Sequence, residues 1–310
     1  MKKIKLFSLL LALVALCSYI SVRASENKVL LHFVQISDIH LQRGYAKDGE
    51  RLLGSSEKLL NDTVTQVNGI KDLDFTLATG DLVDIPDEKL VDKFITITMS
   101  LDSPLYVLLG NHDVSVNGGL GKKGFVKKFT DVEGQMSFPE GMNYYSFTPT
   151  EKFKIVCLDG TTDKVVTAHG QLGDKQLEWL KGELEESLKT NQFVIIALHF
   201  PAIEPFKSGT HNILEPDNTK FLEIVKSYKN VIGVFTGHYH ASRIQKIANK
   251  IHNSCPAVVQ YPNAFREIII TQDNPKYLNV EFKWHDVDGI ELRTLSKNNS
   301  KSPKLTEGSE

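Results

Sequence analysis

The sequence predicts an α/β fold in which sheet strands are covered by helices on both faces. Three observations predict it. Strand-like runs alternate with amphipathic helical patterns from about residue 30 to residue 237. The runs are apolar almost throughout, not at every second position, as expected of strands buried on both sides. Five of them end in a polar cluster, "SDIH", "GD", "GNHD", "HF" and "GHYH". In open α/β sheets the reactive crevice lies beyond the carboxyl ends of the strands, so these clusters can converge there.

The elements follow in order. "LLHFVQIS" (30–37) reads as a strand and "GSSEKLLNDTVTQVNGI" (54–70) as a capped amphipathic helix. "LDFTLATG" (73–80) is a strand, and "PDEKLVDKFITITMS" (86–100) a helix opened by Pro86 and two acids. Proline suits a first helical turn, where its missing N–H costs nothing. "PLYVLLG" (104–110), "NYYSFT" (143–148) and "FKIVCLD" (153–159) are strands, and "GDKQLEWLKGELEESLK" (173–189) is a helix. Trp179 and Leu180 belong to its core-facing side. "QFVIIALH" (192–199) and "VIGVFTG" (231–237) are strands. "AVVQYP", "FREIIITQ", "LNVEFKWH" and "IELRTLS" look like an antiparallel meander, and 296–310, with almost no apolar content, reads as a disordered tail. One domain is expected over 25–295.

Composition is ordinary for a globular chain of 310 residues, 41% hydrophobic and 24% charged. "MKKIK" followed by the short apolar run "LFSLLLALVALCSYI" and by "SVRAS" has the pattern of an export signal, with Val22 and Ala24 at the positions a signal peptidase reads. Residues 1–24 are therefore expected to be cleaved and the protein exported, an uncleaved membrane anchor being the rival. Removing Lys2, Lys3, Lys5 and Arg23 takes the net charge from −2 to −6. Nothing resembles a nucleic-acid-binding module, and no membrane span remains after cleavage. Cys157 lies in an apolar strand and reads as a small hydrophobe; whether it pairs with Cys255 stays open, as does the oligomeric state.

The strand-end clusters supply Asp38 and His40, Asp81, Asn111 with His112 and Asp113, His199, and His238 with His240. Imidazole nitrogens with carboxylate and amide oxygens, and no thiolate, suit Mn, Fe, Zn, Co or Ni. The donors exceed the needs of one ion. Two ions would need a bridging carboxylate, for which Asp81, after Gly80, is the candidate.

The ordered set "DIH", "GD", "GNHD", a lone His and "GHYH", over residues 30–245, resembles the calcineurin-like metallophosphoesterases. Within them it is similar to the class III cyclic nucleotide phosphodiesterases. The resemblance implies a four-layer αββα sandwich with two mixed sheets flanked by helices. It also implies that Asp38, His40 and His240 hold one metal, that Asn111, His199 and His238 hold a second, and that Asp81 bridges them. Gly237 is expected to make the turn that separates His238 from His240. His112 is expected to face the substrate phosphate, with Asp113 holding it in its charged form. The pair of divalent or trivalent ions (Mn, Fe or Zn) would acidify a water for attack on a small-molecule phosphoester. A phosphodiester, cyclic nucleotides included, is the favoured substrate. The alternatives are an exported phosphomonoesterase and a non-catalytic scaffold. "GDLVDIP" lacks the tyrosine of the purple acid phosphatases, which sets that branch aside.

Other residues read as supporting cast. Asp84 is expected to cap or orient nearby backbone, and His32 to be packed in its strand. Arg43 and His211 lie on loops that could overhang the site, and His169, His252 and His285 are expected at the surface.

Overall fold

The computed structural model describes residues 28–300 apart from 131–137, 139–141, 163–166, 207–210 and 275–276; the expected signal and residues 301–310 lie outside them. Among the described residues eleven strands form two mixed sheets. In the first, β1 (Lys28–Ile36) is central, flanked by parallel β2 (Phe75–Ala78) and β3 (Leu105–Val107) on one side. On the other side lie antiparallel β10 (Ala264–Asn274) and β11 (Tyr277–Asp286). The second sheet runs β4 (Tyr145–Thr150), β5 (Phe153–Cys157), β6 (Phe193–Ala197), β7 (Val231–Thr236), β9 (Lys250–Ser254), β8 (Arg243–Ile247). Strands β5, β6, β7 and β9 are parallel.

Side-chain alternation generates the four layers. Ile155 and Cys157 of β5, Ile195 and Ala197 of β6 and Phe235 of β7 join one core with the first sheet, α1 (Ser56–Gly69), α2 (Glu88–Thr98) and α3 (Lys122–Thr130). Their neighbours Val156, Val194, Ile196 and Val234 point the other way. They join a second core with Leu177, Leu180 and Leu184 of α4 (Gly173–Lys189) and Phe221 and Val225 of α5 (Asp217–Ser227). A continuous apolar strand is thus read by two cores at once. Helix α2 begins at an Asp87 cap, whose carboxylate accepts from Lys89 N and Leu90 N, one residue after Pro86. Between the sheets, buried Gln35 donates to Thr79 Oγ1 (3.0 Å) and Thr236 O (3.1 Å), tying the two layers together beneath the strand ends.

Three sequence expectations are corrected. "IELRTLS" is not a strand but most of helix α6 (Ile290–Asn299), so the tail does not begin at 296. "AVVQYP" is a buried loop carrying only an isolated bridge, Arg51 to Gln260. Ser55, at the start of α1, makes no side-chain cap; its hydroxyl donates to Asp48 instead. Cys157 and Cys255 are both buried free thiols. Among the described residues no helix is long and apolar enough to cross a membrane.

Candidate metal centre and active site

The carboxyl ends of both sheets meet at one place. Asp38 and His40 follow β1, Asp81 follows β2 and Asn111 and His112 follow β3, while His199 follows β6 and His238 and His240 follow β7. Main-chain hydrogen bonds fasten these turns to one another: Asp38 N to Gly80 O (3.1 Å), His40 N to Asp81 O (2.9 Å), Gly237 N to His199 O (3.0 Å).

Asp38, His40, Asp81, His238 and His240 all lie at positive φ, between 41° and 73°. A non-glycine residue held there costs on the order of 1–3 kcal/mol, and such residues gather at functional sites. Gly237 is not one of the left-handed residues, so the expectation that it makes the turn is corrected: the two histidines make it themselves. Gly237 is needed for close approach, because a Cβ there would sit 1.9 Å from Ser37 Oγ and 2.7 Å from Asp38 Oδ2. A Cβ on Gly110 would sit 2.2 Å from Asp81 Oδ1.

Hydrogen bonds decide what the imidazoles offer. His199 Nδ1 lies 2.8 Å from Thr79 O, and His238 Nε2 lies 2.8 Å from Ala168 O. Carbonyl oxygens only accept, so these nitrogens carry the protons. The remaining nitrogens, His199 Nε2 and His238 Nδ1, face each other at 3.1 Å. The other pair is held by one hydrogen bond and one carboxylate contact. His240 Nδ1 meets Gln260 Oε1 at 2.5 Å, His40 Nδ1 lies 3.2 Å from Asp84 Oδ1, and the two Nε2 atoms face each other at 3.0 Å. Opposed lone pairs repel unless a cation or a proton lies between them. Carboxylates complete each pair: Asp38 Oδ1 is 3.3 Å from His240 Nε2, and Asp81 Oδ2 is 3.5 Å from His40 Nε2 and 3.3 Å from His199 Nε2.

Three donor groups result among the described residues: Asp38/His40/Asp81/His240 and Asp81/His199/His238, which share Asp81, and His40/Asp84/His112 beside them. Asn111 adds a buried side-chain oxygen without a hydrogen-bond partner. Burial pushes His40 down to about 4 and His238 down to about 3, keeping both neutral and able to ligate. Burial opposes charge on Asp38 and Asp81, yet the neighbouring His240 and His199 hold both carboxylates well below the usual range. Burial likewise opposes a proton on His199, but the Asp81 and Asp38 carboxylates raise it to about 9. In the ion-free arrangement that proton plays the cation's part. Mixed imidazole and oxygen donors, neutral where needed and tautomerically fixed, fit divalent transition metals.

A family model described as calcineurin-like phosphoesterase matches residues 31–242. The chain belongs to that family. It is 24% identical over 307 residues to the manganese-dependent ADP-ribose/CDP-alcohol diphosphatase of Oryza sativa subsp. japonica, covering 81% of this chain and 92% of that protein. It is 25% identical over 230 residues to a 3',5'-cyclic-nucleotide phosphodiesterase of Nostoc, covering 74% and 77%. A solved dimetal phosphatase from Danio rerio shares the fold at 15% identity with a TM-score of 0.64, covering 84% of this chain and 100% of that one. As a calcineurin-like phosphoesterase the chain is a metal-dependent phosphoester hydrolase, and the Asp/His groups are arranged so that they could hold divalent metal.

Within this phosphoesterase site the acid beside His112 is Asp84, not Asp113. His112 Nδ1 meets Asp84 O at 2.8 Å, and the Asp84 carboxylate lies 3.8 Å from the same nitrogen. Asp84 Oδ2 accepts from Gln42 Nε2 (3.1 Å), and Arg51 Nη1 lies 3.8 Å from Oδ1. Asp84 therefore connects His40 to His112 and does not serve as a backbone cap. The signal was present in "GDLVD", whose second acid falls three residues after Asp81. Asp113 is fully buried and accepts from Leu82 N (2.8 Å), Val83 N (3.1 Å) and Gly110 N (2.8 Å). Burial, with the Asp81 charge beside it, pushes Asp113 up to about 8 against those three donors.

The remaining histidines and Arg43 divide by position. The His211 ring lies 6.0 Å from the His238 ring and the His169 ring 5.5 Å from that of His211, so both adjoin the site's rim. Arg43 pairs with Asp87 at 2.9 Å. His32, mid-way along β1, and His285, next to the last residue of β11, both meet Glu267, at 3.0 and 2.7 Å. His252 is buried in β9, not at the surface as expected, and burial pushes it down to about 4.

Proposed function

We propose that this phosphoesterase binds two divalent ions, one at Asp38/His40/Asp81/His240 and one at Asp81/Asn111/His199/His238, and cleaves phosphodiester-type linkages in small molecules. One observation carries the reading: two pairs of opposed imidazole nitrogens share the single carboxylate Asp81. Ions so placed would acidify a water and neutralise phosphoryl oxygens. The rest is supplied by the chain. Asp81 Oδ1 accepts from His112 N (2.9 Å), so the shared carboxylate and the His112 loop move as one. Ser37 Oγ donates to Asp38 Oδ2 (2.6 Å) and His238 N to Asp38 Oδ1 (3.1 Å), which aims that carboxylate. His112, with Nδ1 committed to Asp84 O, presents Nε2 outward. From there it can bind a phosphoryl oxygen or donate a proton to the leaving oxygen.

The activities of the relatives, cyclic-nucleotide phosphodiesterase and ADP-ribose/CDP-alcohol diphosphatase, support a phosphate joined on two sides over a monoester. The manganese dependence of the diphosphatase makes Mn²⁺ the first ion to try. Residues 1–24 support export with removal of that segment; a mature amino terminus at Ser25 is the expected result, and retention of Met1 would overturn it. Substrate class is tested by initial rates with Mn²⁺ on bis-p-nitrophenyl phosphate, p-nitrophenyl phosphate, cyclic AMP and ADP-ribose, with His112→Ala as control. Faster turnover of the diester or of either nucleotide is expected. Faster monoester turnover would make the protein a phosphatase.

A further inference from the structure

The match to the family model ends at residue 242, yet His240 is held by a residue beyond it. Gln260 is almost fully buried on the loop 257–262, and its Oε1 is the partner of His240 Nδ1 at 2.5 Å. Its other end is equally committed, because Nε2 donates to Glu50 Oε1 at 3.0 Å. A carboxylate only accepts, so Glu50 fixes which way round the Gln260 amide lies. The amide oxygen must face His240, Nδ1 must carry the proton, and Nε2 must present its lone pair towards Asp38 and His40. One carboxylate on a distant loop thereby dictates a ligand's tautomer.

Both partners are anchored to the C-terminal helix. Ser296 of α6, fully buried, donates to Glu50 O (2.6 Å) and accepts from Tyr261 N (2.8 Å). Arg293 Nε donates to Pro262 O (3.1 Å). The Gln260 and Glu50 segments are also stitched directly: Leu52 N donates to Val259 O at 2.7 Å. Helix α6 so clamps the two loops whose side chains meet at His240. His238, in contrast, takes its proton acceptor from Ala168 O, and His199 from Thr79 O, neither of which touches this network.

We infer that Gln260 is a positioning residue for the ion at Asp38/His40/Asp81/His240 alone, oriented by Glu50 and braced by Ser296. The inference rests on the two-ion reading above. Loss of such a partner typically weakens metal binding about 10–100-fold. The second ion, held through Thr79 and Ala168, keeps its affinity.

The test is Mn²⁺ titration of the protein from residue 25 onward, followed by electron paramagnetic resonance and calorimetry, with thermal unfolding to confirm that each variant folds. Wild type is expected to take two Mn²⁺. Gln260→Leu is expected to weaken one of them about 10–100-fold and to leave the other unchanged. Glu50→Gln frees the amide to turn over and is expected to weaken the same ion by a smaller factor, as is Ser296→Ala. Glu50→Gln combined with Gln260→Glu keeps an acceptor against His240 Nδ1 and reverses the donor and acceptor of the bond between the two side chains, and is expected to recover the affinity. A merely structural role would not produce that recovery. Two unchanged affinities in Gln260→Leu, or equal weakening of both ions in a folded variant, would overturn the inference. A wild-type protein that takes fewer than two Mn²⁺ would instead overturn the two-ion reading itself.

Discussion

The main-chain oxygen of Asp84 accepts a hydrogen bond from His112 Nδ1 at 2.8 Å, while the Asp84 carboxylate lies 3.2 Å from His40 Nδ1. One residue thus touches both His40 and His112, the imidazoles proposed to bind an ion and to face substrate. His112→Ala should reduce turnover roughly 10²–10⁴-fold with metal content retained. Metal analysis beside the rate measurement checks it, and parallel loss of metal would show that His112 acts as a ligand.

Asp84 and Asp113 should separate cleanly. Asp84→Ala removes the carboxylate partner of His40 and should weaken metal binding and activity together, about 10–100-fold. Asp113→Asn puts an N–H donor against Leu82 N, Val83 N or Gly110 N. It should cost about 1–3 kcal/mol of stability, while the folded fraction keeps its turnover within severalfold. Denaturant unfolding and kcat on the two variants decide. A folded Asp113→Asn protein without activity would restore Asp113 to the chemistry.

Gly237→Ala forces a methyl to within 1.9 Å of Ser37 Oγ, in a region where backbone from both sheets is cross-linked. Overpacking of this kind costs on the order of 1–3 kcal/mol. Because Asp38 must move with Ser37, metal affinity should fall as well. A variant with unchanged melting temperature and metal content would show that the turn has slack.

The metal-free protein should lose stability between pH 6.5 and 9. His199 is raised to about 9, so its protonated form stabilises the fold fully below 6.5, and that stabilisation is lost as pH rises through 9. Asp113, raised to about 8, acts in the same direction. His40 and His238, depressed to about 4 and 3, change stability only below 6.5, where it rises with pH. Thermal melts in chelator across this window should show a falling Tm. With Mn²⁺ bound the fall should shrink, since the ion replaces the His199 proton while Asp113 keeps its own. A Tm that rises from pH 6.5 to 9 in chelator would contradict the assignment.

Much of this site was legible because its residues stand at strand ends, and strands buried on both faces announce themselves as apolar runs. The missed elements lack that signal. Strands β8 and β9, "RIQKI" and "KIHNS", are too polar to stand out, and their hairpin turns on Ala248 and Asn249 at positive φ without a glycine. Helix α5 could have been inferred, since the parallel pair β6 and β7 requires a crossover. "IELRTLS" is short enough to fit either period, and Gly289 at φ 120° starts the helix. Asp113 adjoins His112 in sequence, yet its carboxylate is taken up by Leu82 N, Val83 N and Gly110 N while His112 turns to Asp84, so adjacency in the chain is not contact. The role of Gln260 was invisible because an amide in an apolar run carries no motif.

The central claim is that two ions share Asp81. Anomalous diffraction from crystals soaked in Mn²⁺ tests it most directly. Two peaks are predicted, one among Asp38, His40 and His240 and one among Asn111, His199 and His238, both adjoining Asp81, and both absent from Asp81→Ala. A single peak, or one seated among His40, Asp84 and His112, would contradict the account.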